Sequence, residues 1–428
     1  MEGPAPTSAP AEGNEAGAQR SSVALDLDAA VRVRSGLPLL RARAAAAACG
    51  AALGATVAYV GGSVTAQKEG WRPHFHRWLC GRIRVPMGHT QTNASLGNLG
   101  AKLLSFLVDD WVCSEETPDL VFLETAVNDG DNLLESGDVL GNLRALEGIV
   151  RELRSRGCEV VLVDVHLRCD IAPSKRSGTL AWVDSEDGYH VYEQVRLLHE
   201  RVAEHYGLPS VCVTAALQKL DSEALDAIFR DDCHTTALGG SVLASAVAAA
   251  VERCCLAQDG QTAAPLPPPL DALFWSGGAA HRVERVHIMQ AQPGRPVQQR
   301  ADVDALTGAP GPWWLLSPGD ALRLPFEGTA LALLTHVGPD AGVLRCRISA
   351  VGSEGAVVHE SSTILFDKWS YYYRLAVVLL ADCLPPGRYT AEVTLMEEAP
   401  DRAVAKKALQ PRVAGKLQLW AQHFLTCA

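Results

Sequence analysis

The sequence predicts an α/β domain with a parallel sheet, followed by an all-β domain, and three observations lead to this fold class. Short apolar runs alternate with helical patterns between about residues 25 and 256, which is typical of a sheet covered by helices on both faces. These runs are consecutive Val, Leu and Ile rather than alternating residues, as expected for parallel strands buried on both sides. Beyond a proline-rich stretch, apolar and polar residues alternate between Gly, Pro and Asp, which indicates an antiparallel β-sandwich or jelly roll.

The elements of the first domain follow one another at the spacing of a doubly wound sheet. Apolar strands are predicted at 56–61 (TVAYVG), 118–124 (PDLVFLE), 159–165 (EVVLVDV) and 208–213 (LPSVCV), with a less clearly marked strand within 83–92. Apolar residues at helical spacing predict helices over 99–113, 141–156, 189–206 and 236–254. Gly157 and Gly207 directly follow two of these helices, in the position that C-capping glycines take.

The chain of 428 residues is long enough for two domains, and its composition suggests where they begin and end. Residues 1–24 are rich in Ala, Pro, Gly, Ser and Glu, which predicts a disordered tail. We then expect the α/β domain over 25–256, a proline-rich linker over 257–269 and the β-sandwich over 270–428. In this last segment, stretches such as VLRCRISAV and YTAEVTLM have the alternation of half-buried strands.

Charge and hydropathy argue against a nucleic-acid partner, a secretory signal and a membrane span. The formal net charge of -11 argues against a nucleic-acid partner, because binding phosphates requires a basic face. The N-terminal segment lacks the basic start and apolar core of a secretory signal, so we expect a cytoplasmic protein. Residues 44–67 carry no charge, but they are mainly Ala and Gly and are interrupted by Gly61-Gly62. We therefore expect no membrane span.

Cysteine and histidine usage gives no support to a metal centre. The 12 cysteines form no CxxC pair, and several lie in apolar runs where a thiol packs as a small hydrophobic group. We expect them to be mostly reduced and interpret Cys233 as a packing residue. His74 and His76 alternate along a predicted exposed helix without a third candidate ligand nearby, so we expect no metal ion there.

Polar residues of types suited to catalysis follow the predicted strands, where a doubly wound sheet binds its ligands. Ser63 comes directly after Gly61-Gly62 in VAYVGGSVTAQKEGW, and Asn128 follows the next strand in TAVNDG. A glycine-containing segment, TNASLGNLG, lies between them at 92–100. Before the last helix, FRDDCHTTALGG holds an aspartate and a histidine in D-x-x-H spacing.

These residue types fit nucleophilic catalysis. A serine hydroxyl becomes a nucleophile when a base such as His234 takes its proton, and a carboxylate must orient the imidazole. Asp231 is the favoured carboxylate, and Asp232 competes with it. The oxyanion of a tetrahedral intermediate needs preorganised donors. The candidates are the Ser63 backbone N–H, a backbone N–H of the glycine loop and the Asn128 side chain.

Taken in order, these segments resemble the conserved blocks of the SGNH/GDSL hydrolase superfamily, and especially a subgroup with GGS-[IV]-T-A-Q around the serine. The resemblance covers roughly residues 33–250. It implies a flavodoxin-like, three-layer α/β/α domain, with Ser63 as nucleophile, His234 as base and Asp231 as its partner. It also implies oxyanion donors at Ser63, Asn128 and either Gly97 or Asn98, of which Gly97 is favoured.

Three positions depart from the usual pattern of the superfamily. Gly62 stands where GDS has Asp, a change shared by the subgroup. Ala126 replaces a usual Gly in the third block, and Thr235 stands where proline commonly follows the histidine. None of these departures removes a reacting group.

The resemblance implies a serine esterase that hydrolyses a short-chain acyl ester, such as an O-acetyl ester, of a carbohydrate or similar hydroxylated compound. The reaction would pass through an acyl-enzyme and need no metal or organic cofactor. An acyltransferase or lipid esterase with the same residues is the alternative, and a retired hydrolase fold that acts as a binding protein is a third. Aromatic residues of the β-domain, at 313–314 and 369–373, fit a packed sandwich core or the domain interface better than a sugar-stacking platform.

Two further residues near the predicted site have simpler interpretations. Glu124 ends a buried strand and is interpreted as structural. Trp71 and Arg72, shortly after the serine, are candidates to line the cleft.

Overall fold

The structure is a computed structural model of the chain. It describes residues 25–50, 55–83, 91–95, 97, 99–113, 116–165, 186–256, 265–271, 278–282, 287–289, 298–300, 313–352, 356–367, 370–371, 373–404 and 419–427. The predicted tail at 1–24 and the first part of the predicted linker lie outside the described residues.

The helices that the structure describes are mostly in the first half of the chain. In chain order they are α1 Leu27–Ala30, α2 Pro38–Ala48, α3 Ser63–Ala66, α4 Trp71–Ile83, α5 Ala101–Leu104, α6 Val108–Val112, α7 Ala126–Ser136, α8 Val139–Ser155, α9 Glu186–His205, α10 Val213–Leu217, α11 Ser222–Ile228 and α12 Ala237–Leu256. A short 3₁₀ helix, Arg402–Val404, lies near the end of the described chain.

The strands fall into an early and a late group. The early strands are β1 Val31–Arg32, β2 Val57–Gly61, β3 Gln91–Ser95, β4 Leu120–Glu124, β5 Glu159–Asp164 and β6 Ser210–Cys212. The late strands are β7 Gly278–Arg282, β8 His287–Met289, β9 Gln298–Arg300, β10 Trp313–Leu316, β11 Ala321–Gly328, β12 Ala330–Val337, β13 Val343–Ala350, β14 Val357–Ile364, β15 Arg374–Ala381, β16 Gly387–Leu395 and β17 Leu419–Cys427.

The early strands form one sheet in the order β1-β6-β5-β4-β2-β3. All neighbours from β6 to β3 are parallel, and the two-residue β1 joins the edge antiparallel to β6. The strand order reverses between β2 and β4, because the chain passes from β2 outward to β3 and then returns to the other side. In a doubly wound sheet this switch point is where ligands bind.

Burial on both faces explains why the early strands lack alternation. Every residue of β2 and of β4 is buried. Tyr59 and Phe122 point to one face, where they stack on each other at 5.5 Å and meet α4 and α12. Val60 and Leu123 point to the opposite face, where α8 covers the sheet. The predicted three-layer α/β/α arrangement is confirmed.

Two predicted elements differ from the structure. The helix expected over 99–113 is divided into α5 and α6. The division falls where the Leu107 N–H donates to the Leu104 carbonyl at 2.8 Å, which is a tight i to i+3 turn, and where the Ser105 hydroxyl donates to the Lys102 carbonyl at 3.0 Å. The strand expected within 83–92 overlaps β3, which spans Gln91–Ser95, only at residues 91–92, while α4 extends to residue 83 and residues 84–90 lie outside the described residues. The sequence of β3, QTNAS, is too polar to mark it as a strand.

Helix α12 has the length and hydropathy of a membrane span, as judged over the described residues. However, 56% of its apolar window is buried inside the structure. Its inward residues pack with α4 and the sheet in one core. This burial is typical of the core helix of an α/β domain.

The late strands form two antiparallel sheets. One has the order β15-β12-β17-β10-β9, with β7 beside β17, and the other has the order β14-β13-β16-β11-β8. Side chains of both sheets, including Leu333 and Leu344, meet in a common core. The late strands therefore form a β-sandwich, in agreement with the predicted fold class.

Strand β12 lies between the two cores. Leu331 and Leu333 belong to the core of the sandwich, whereas Ala330, Ala332 and Leu334 belong to the core beneath the parallel sheet. All eight residues of β12 are consequently buried. The β-sandwich is thus packed directly against the α/β layer rather than attached only by the linker.

Polar contacts also fix the chain that leads into the sandwich. The carboxylate of Glu147, on α8, accepts hydrogen bonds from the backbone N–H groups of Leu270 and Asp271. Arg151, one turn later, donates to the Pro267 carbonyl at 2.8 Å. Residues 265–271, although proline-rich, are therefore held against α8.

Candidate active site

The structure brings the predicted serine, histidine and aspartate into one hydrogen-bonded row. Ser63 opens α3 directly after β2, and its Oγ lies 2.9 Å from Nε2 of His234, 171 residues later in the chain. Nδ1 of His234 lies 3.0 Å from each carboxylate oxygen of Asp231. The hydroxyl, imidazole and carboxylate therefore have the relative positions that a serine nucleophile requires.

Asp231 is held as an ionised hydrogen-bond acceptor. Its Oδ1 accepts the backbone N–H of Cys233 at 3.0 Å and that of His234 at 2.7 Å, in addition to its contact with the ring. Partial burial acts to raise the pKa of Asp231, but the hydrogen bonds from the His234 ring and from the two backbone groups lower that pKa well below its usual value. The D-x-x-H turn thus fixes the carboxylate with its own backbone.

The histidine loop is tied to the serine loop through Gln67. The Gln67 Nε2 donates to the Thr235 carbonyl at 2.5 Å, and its Oε1 accepts the Thr235 N–H at 3.3 Å. Gln67 is the last residue of the GGSVTAQ motif, so this motif positions both Ser63 and the loop that carries His234. A proline after the histidine would lack this N–H, which gives a physical reason for Thr235 here.

The two glycines before the serine have different neighbours. A Cβ on Gly61 would lie 2.1 Å from the backbone oxygen of Glu124, in the adjacent strand. A Cβ on Gly62 would lie 1.8 Å from Oδ1 of Asn128. Gly61 is therefore required for strand pairing, whereas Gly62 makes room for the Asn128 side chain.

Two of the predicted oxyanion donors border Ser63. Asn128 lies in the first turn of α7, which follows β4, and its side chain reaches Gly62 beside Ser63. A Cβ on Gly97 would lie 4.0 Å from the Cβ of Ser63, so the backbone at Gly97 lies close to this serine. Asn98, the alternative loop donor, lies outside the described residues.

Behind Asn128 lies a buried charged network that the sequence did not reveal. His199, on α9, is 1% exposed, with Nε2 2.9 Å from Asp129 and Nδ1 3.0 Å from Asp164. Burial acts to lower the pKa of His199, but the hydrogen bonds to Asp129 and Asp164 outweigh it and raise the pKa to about 10. The ring is therefore an imidazolium that donates to both carboxylates at neutral pH.

This network positions both sides of the candidate oxyanion site. Asp129 follows Asn128 directly, and its Oδ2 accepts the Thr125 hydroxyl at 2.7 Å. Its Oδ1 accepts the N–H of Ala101 at 2.6 Å, at the start of the helix after the glycine loop. Asp129 thus connects the turn that carries Asn128 to the loop that carries Gly97. In the sequence, only the adjacent Asn128 and Asp129 indicate this network, because the partners of Asp129 lie on elements that are distant along the chain.

Glu124 lies beneath the serine turn. It is fully buried, its Oε2 accepts the Thr65 hydroxyl at 2.9 Å, and its backbone oxygen accepts the Gly62 N–H at 3.3 Å. Burial raises the pKa of Glu124 to about 7. These contacts agree with a structural role for this carboxyl group.

Two predictions about neighbouring residues are wrong. Trp71 does not line the cleft, because it is fully buried in an aromatic cluster with Tyr59 and Phe75. His76 is not an exposed residue, since its Nδ1 contacts the Tyr59 hydroxyl at 3.0 Å and its Nε2 contacts the Cys80 thiol at 3.4 Å.

In the β-sandwich, Trp369, Tyr372 and the side chains of Trp313 and Trp314 lie outside the described residues.

Comparisons with known proteins agree with this fold. The sequence model of one family, described as "SGNH hydrolase-like domain, acetyltransferase AlgX", matches residues 125–272. The match includes Asn128, Asp231 and His234 and begins after Ser63. A search of curated proteins finds no match to the chain.

Solved structures extend the likeness to most of the chain. A two-domain esterase, CEX, active on acetylated mannans, is 17% identical and covers 94% of this chain and 99% of its own, with a TM-score of 0.68. The same esterase co-crystallised with mannopentaose gives 17% identity, coverage of 94% and 98%, and a TM-score of 0.67. An acetyl xylan esterase, AlAXEase, is 17% identical and covers 46% of this chain and 99% of its own, with a TM-score of 0.37.

The motifs, the sheet topology and these comparisons lead to one structural classification. The predicted resemblance to the SGNH/GDSL hydrolase superfamily is confirmed, and the chain combines an SGNH hydrolase-like fold with a C-terminal antiparallel β-region.

Proposed function

We propose that this chain is a serine esterase that hydrolyses short-chain acyl esters, in particular O-acetyl esters, of a carbohydrate or a similar hydroxylated compound. The observation that carries the proposal is the row from Ser63 Oγ to His234 Nε2 at 2.9 Å and from His234 Nδ1 to Asp231 at 3.0 Å. Its place at the switch point of the sheet supports a binding role for the same edge.

In the first half of the reaction, Ser63 is acylated. His234 takes the hydroxyl proton while Oγ attacks the ester carbonyl, and Asp231 stabilises the imidazolium. The backbone N–H groups of Ser63 and Gly97 and the Asn128 amide donate to the oxyanion. His234 then returns its proton to the alcohol that leaves, and the acyl group stays on Ser63.

In the second half, a water molecule takes the place of the departing alcohol. His234 accepts the proton of this water as it attacks the acyl-enzyme, and the acid is released. The same donors stabilise the second oxyanion, so no additional group of the chain is required.

The exposure of the site supports a bulky alcohol part of the substrate. The side chain of Asp231 is 48% exposed and that of His234 is 25% exposed, and Gly97 is also exposed. Only the acyl group has to reach Ser63, while a large hydroxylated compound can remain outside. The activity of the two-domain esterase on acetylated mannans supports a carbohydrate as the alcohol part.

An acyltransferase is the second candidate, favoured by the description of the matching family as an acetyltransferase. The first half of its reaction is the same. The acyl-enzyme is then attacked by a hydroxyl group of an acceptor instead of water, so the two functions differ only in what enters the site after the first alcohol leaves.

The esterase proposal is tested with p-nitrophenyl acetate and a matched Ser63→Ala variant. We expect turnover by the wild type and a loss on the order of 10⁴-fold or more in kcat for the variant. Acetylated mannan, acetylated xylan and longer-chain p-nitrophenyl esters then rank the substrates by released acid. Turnover that does not depend on Ser63 contradicts the proposal. Absence of turnover also contradicts it and favours a binding protein.

The same assay separates hydrolysis from transfer. Oligosaccharide acceptors are added at increasing concentration, and both nitrophenol and acetate are quantified. Equal amounts of the two products indicate hydrolysis, whereas nitrophenol in excess of acetate, with an acetylated oligosaccharide, indicates transfer.

A further inference from the structure

A second row of carboxylate and imidazole groups lies behind the candidate site. The His199 Nδ1 is 3.0 Å from Asp164 Oδ1, and its Nε2 is 2.9 Å from Asp129 Oδ2. None of these three residues is more than 2% exposed. The order of groups is that of the proposed catalytic row, except that a carboxylate stands in the place of the serine hydroxyl.

The second carboxylate changes what the ring can do. A neutral imidazole has only one N–H, so a ring that faces carboxylate oxygens with both nitrogens carries a proton on each. Burial opposes this charge, but the two carboxylates outweigh it and raise the pKa of His199 to about 10. His234 instead faces a hydroxyl at Nε2 and can take its proton. The His199 row therefore holds a charge in place, whereas the proposed catalytic row moves a proton.

The Asp164 carboxylate pairs only with this ring. Asp164 ends β5, and its Oδ1 contacts His199, while its Oδ2 is buried without a hydrogen-bond partner among the described residues. A buried carboxylate is costly unless it is paired. The imidazolium therefore stabilises the buried charge of Asp164, and this carboxylate in turn fixes the position of the ring.

The other carboxylate connects the ring to both sides of the proposed oxyanion site. Asp129 accepts the Thr125 hydroxyl at 2.7 Å and the Ala101 N–H at 2.6 Å. A Cβ on Gly100 would lie 2.7 Å from Asp129 Oδ1, so the end of the loop that carries Gly97 packs closely on this carboxylate. If the imidazolium were lost, the carboxylate could turn away from both contacts.

We propose that His199 and Asp164 are positioning residues for the proposed esterase. Through Asp129, they fix the separation of the Asn128 and Gly97 donors. Donors that are held in place before the reaction are the condition for stabilising an oxyanion. The effect on catalysis rests on the proposed function, whereas the positioning itself does not.

The positioning is tested by hydrogen exchange, resolved by peptide, in full-length Asp164→Asn and His199→Gln. We expect peptides that cover 99–104 and 125–130 to exchange at least about tenfold faster than in the wild type. A peptide that covers 231–236 should exchange at the wild-type rate, because the D-x-x-H turn is held by its own backbone. Unchanged exchange at 99–104 and 125–130 would overturn the proposal, and so would equal acceleration over the whole chain.

Glu147→Gln is the control for the loss of a buried charge. Glu147 is fully buried, but its carboxylate contacts Leu270 and Asp271 instead of the network. This variant should leave the exchange of 99–104 and 125–130 and the turnover of p-nitrophenyl acetate as in the wild type. Equal effects of Glu147→Gln and Asp164→Asn would overturn a specific role of the network.

The effect on catalysis is tested by the kinetics of p-nitrophenyl acetate hydrolysis. His199→Gln should lower kcat by about tenfold or more with little change in KM, because the donors act on the oxyanion rather than on the bound ester. Combined with Asn128→Ala, it should cost less than the product of the two single losses, since part of its effect passes through the Asn128 amide. If His199→Gln does not fold, Asp164→Asn, which keeps the size of the side chain, replaces it.

A loss confined to KM, or a full product of the two single losses, would overturn the role in catalysis. A wild type without turnover contradicts the esterase proposal alone, because hydrogen exchange still reports the positioning.

Discussion

Gly62 leaves space for the side chain of Asn128, the proposed oxyanion donor. The space that its Cβ would need is taken by Oδ1 of Asn128, at 1.8 Å. The Asp of the usual GDS block could not occupy this place without displacing the amide. The departure from that block is therefore linked to the position of the proposed oxyanion donor.

We expect Gly62→Ala to lower kcat by about 10²-fold or more, because the Asn128 amide must move from the oxyanion. The protein should still fold, since the end of one side chain can shift. Steady-state kinetics of Gly62→Ala, Asn128→Ala and the double variant check this. If both changes act through the amide, the double variant is no worse than Asn128→Ala. Independent, multiplying effects would contradict this explanation.

Gln67 is the residue that connects the serine and histidine loops. Gln67→Ala removes the hydrogen bonds to the carbonyl, the N–H and the hydroxyl of Thr235, so the His234 loop is less well positioned. We expect kcat to fall between roughly tenfold and a hundredfold with a small change in KM. Thr235→Pro, which removes the N–H and hydroxyl donors but keeps the carbonyl that Gln67 Nε2 contacts, should cost less. The exposed Gln218→Ala is the control, and an equal effect of that change would contradict a specific role for Gln67.

Glu124 predicts a pH dependence of stability. Its pKa is about 7 in the folded chain against 4.5 when unperturbed, so the folded protein binds the proton more tightly between these values. Stability from this group is present below pH 4.5 and is lost as the pH rises to 7, by on the order of 3 kcal/mol at most. Denaturant unfolding of the wild type and Glu124→Gln at pH 5 and pH 8 measures it.

The variant should lose less stability between these two pH values than the wild type. Glu223→Gln, an exposed change of the same kind, should leave the wild-type dependence unaltered. If Glu124→Gln and the wild type lose the same stability, the buried carboxyl group does not titrate in this window.

At the scale of elements, the sequence predicts the strands that carry the candidate site, but it does not predict the residue contacts that hold the site in place. The runs at 56–61 and 118–124 are apolar throughout because both faces are covered, so periodicity identifies them. Strand β3 is polar, so its sequence does not mark it clearly, and it overlaps the predicted segment 83–92 only at residues 91–92. The network of Asp129, His199 and Asp164 joins α7, α9 and β5, and no spacing along the chain reveals such a contact.

Strand β12 is the element on which the two parts of the chain meet. Its residues face the sandwich core and the core beneath the parallel sheet in alternation. Sequence alternation is therefore absent from β12, as it is from β2 and β4, although its sheet is antiparallel.

We expect Ala332→Asp to destabilise the protein by several kcal/mol, because it places a charge in the interface without a partner. The matched change on an exposed strand is Val358→Asp, whose parent side chain is 50% exposed in β14. That variant should stay within about 0.5 kcal/mol of the wild type. Thermal unfolding of the two variants gives the comparison. A tolerated Ala332→Asp would contradict close packing between the two parts.

At the scale of the whole molecule, the sandwich and the α/β layer form a connected structure. The interface of β12 and the hydrogen bonds of Glu147 to residues 270 and 271 hold them together. The D-x-x-H loop and the serine turn are both at one edge of the parallel sheet, even though 171 residues separate Ser63 from His234. Motif order could predict this convergence, but not the Gln67 and Asp129 contacts that hold it in place.

The central claim is that Ser63 is a nucleophile activated by His234, and peptide mapping after reaction with a fluorophosphonate tests it most directly. Wild-type protein, Ser63→Ala and His234→Ala are labelled in parallel, digested and analysed by tandem mass spectrometry. We predict a single modified residue, Ser63, in the wild type, with no label on Ser63→Ala and greatly slowed labelling of His234→Ala. Modification of another residue, or labelling of Ser63 at an equal rate without His234, would contradict the account.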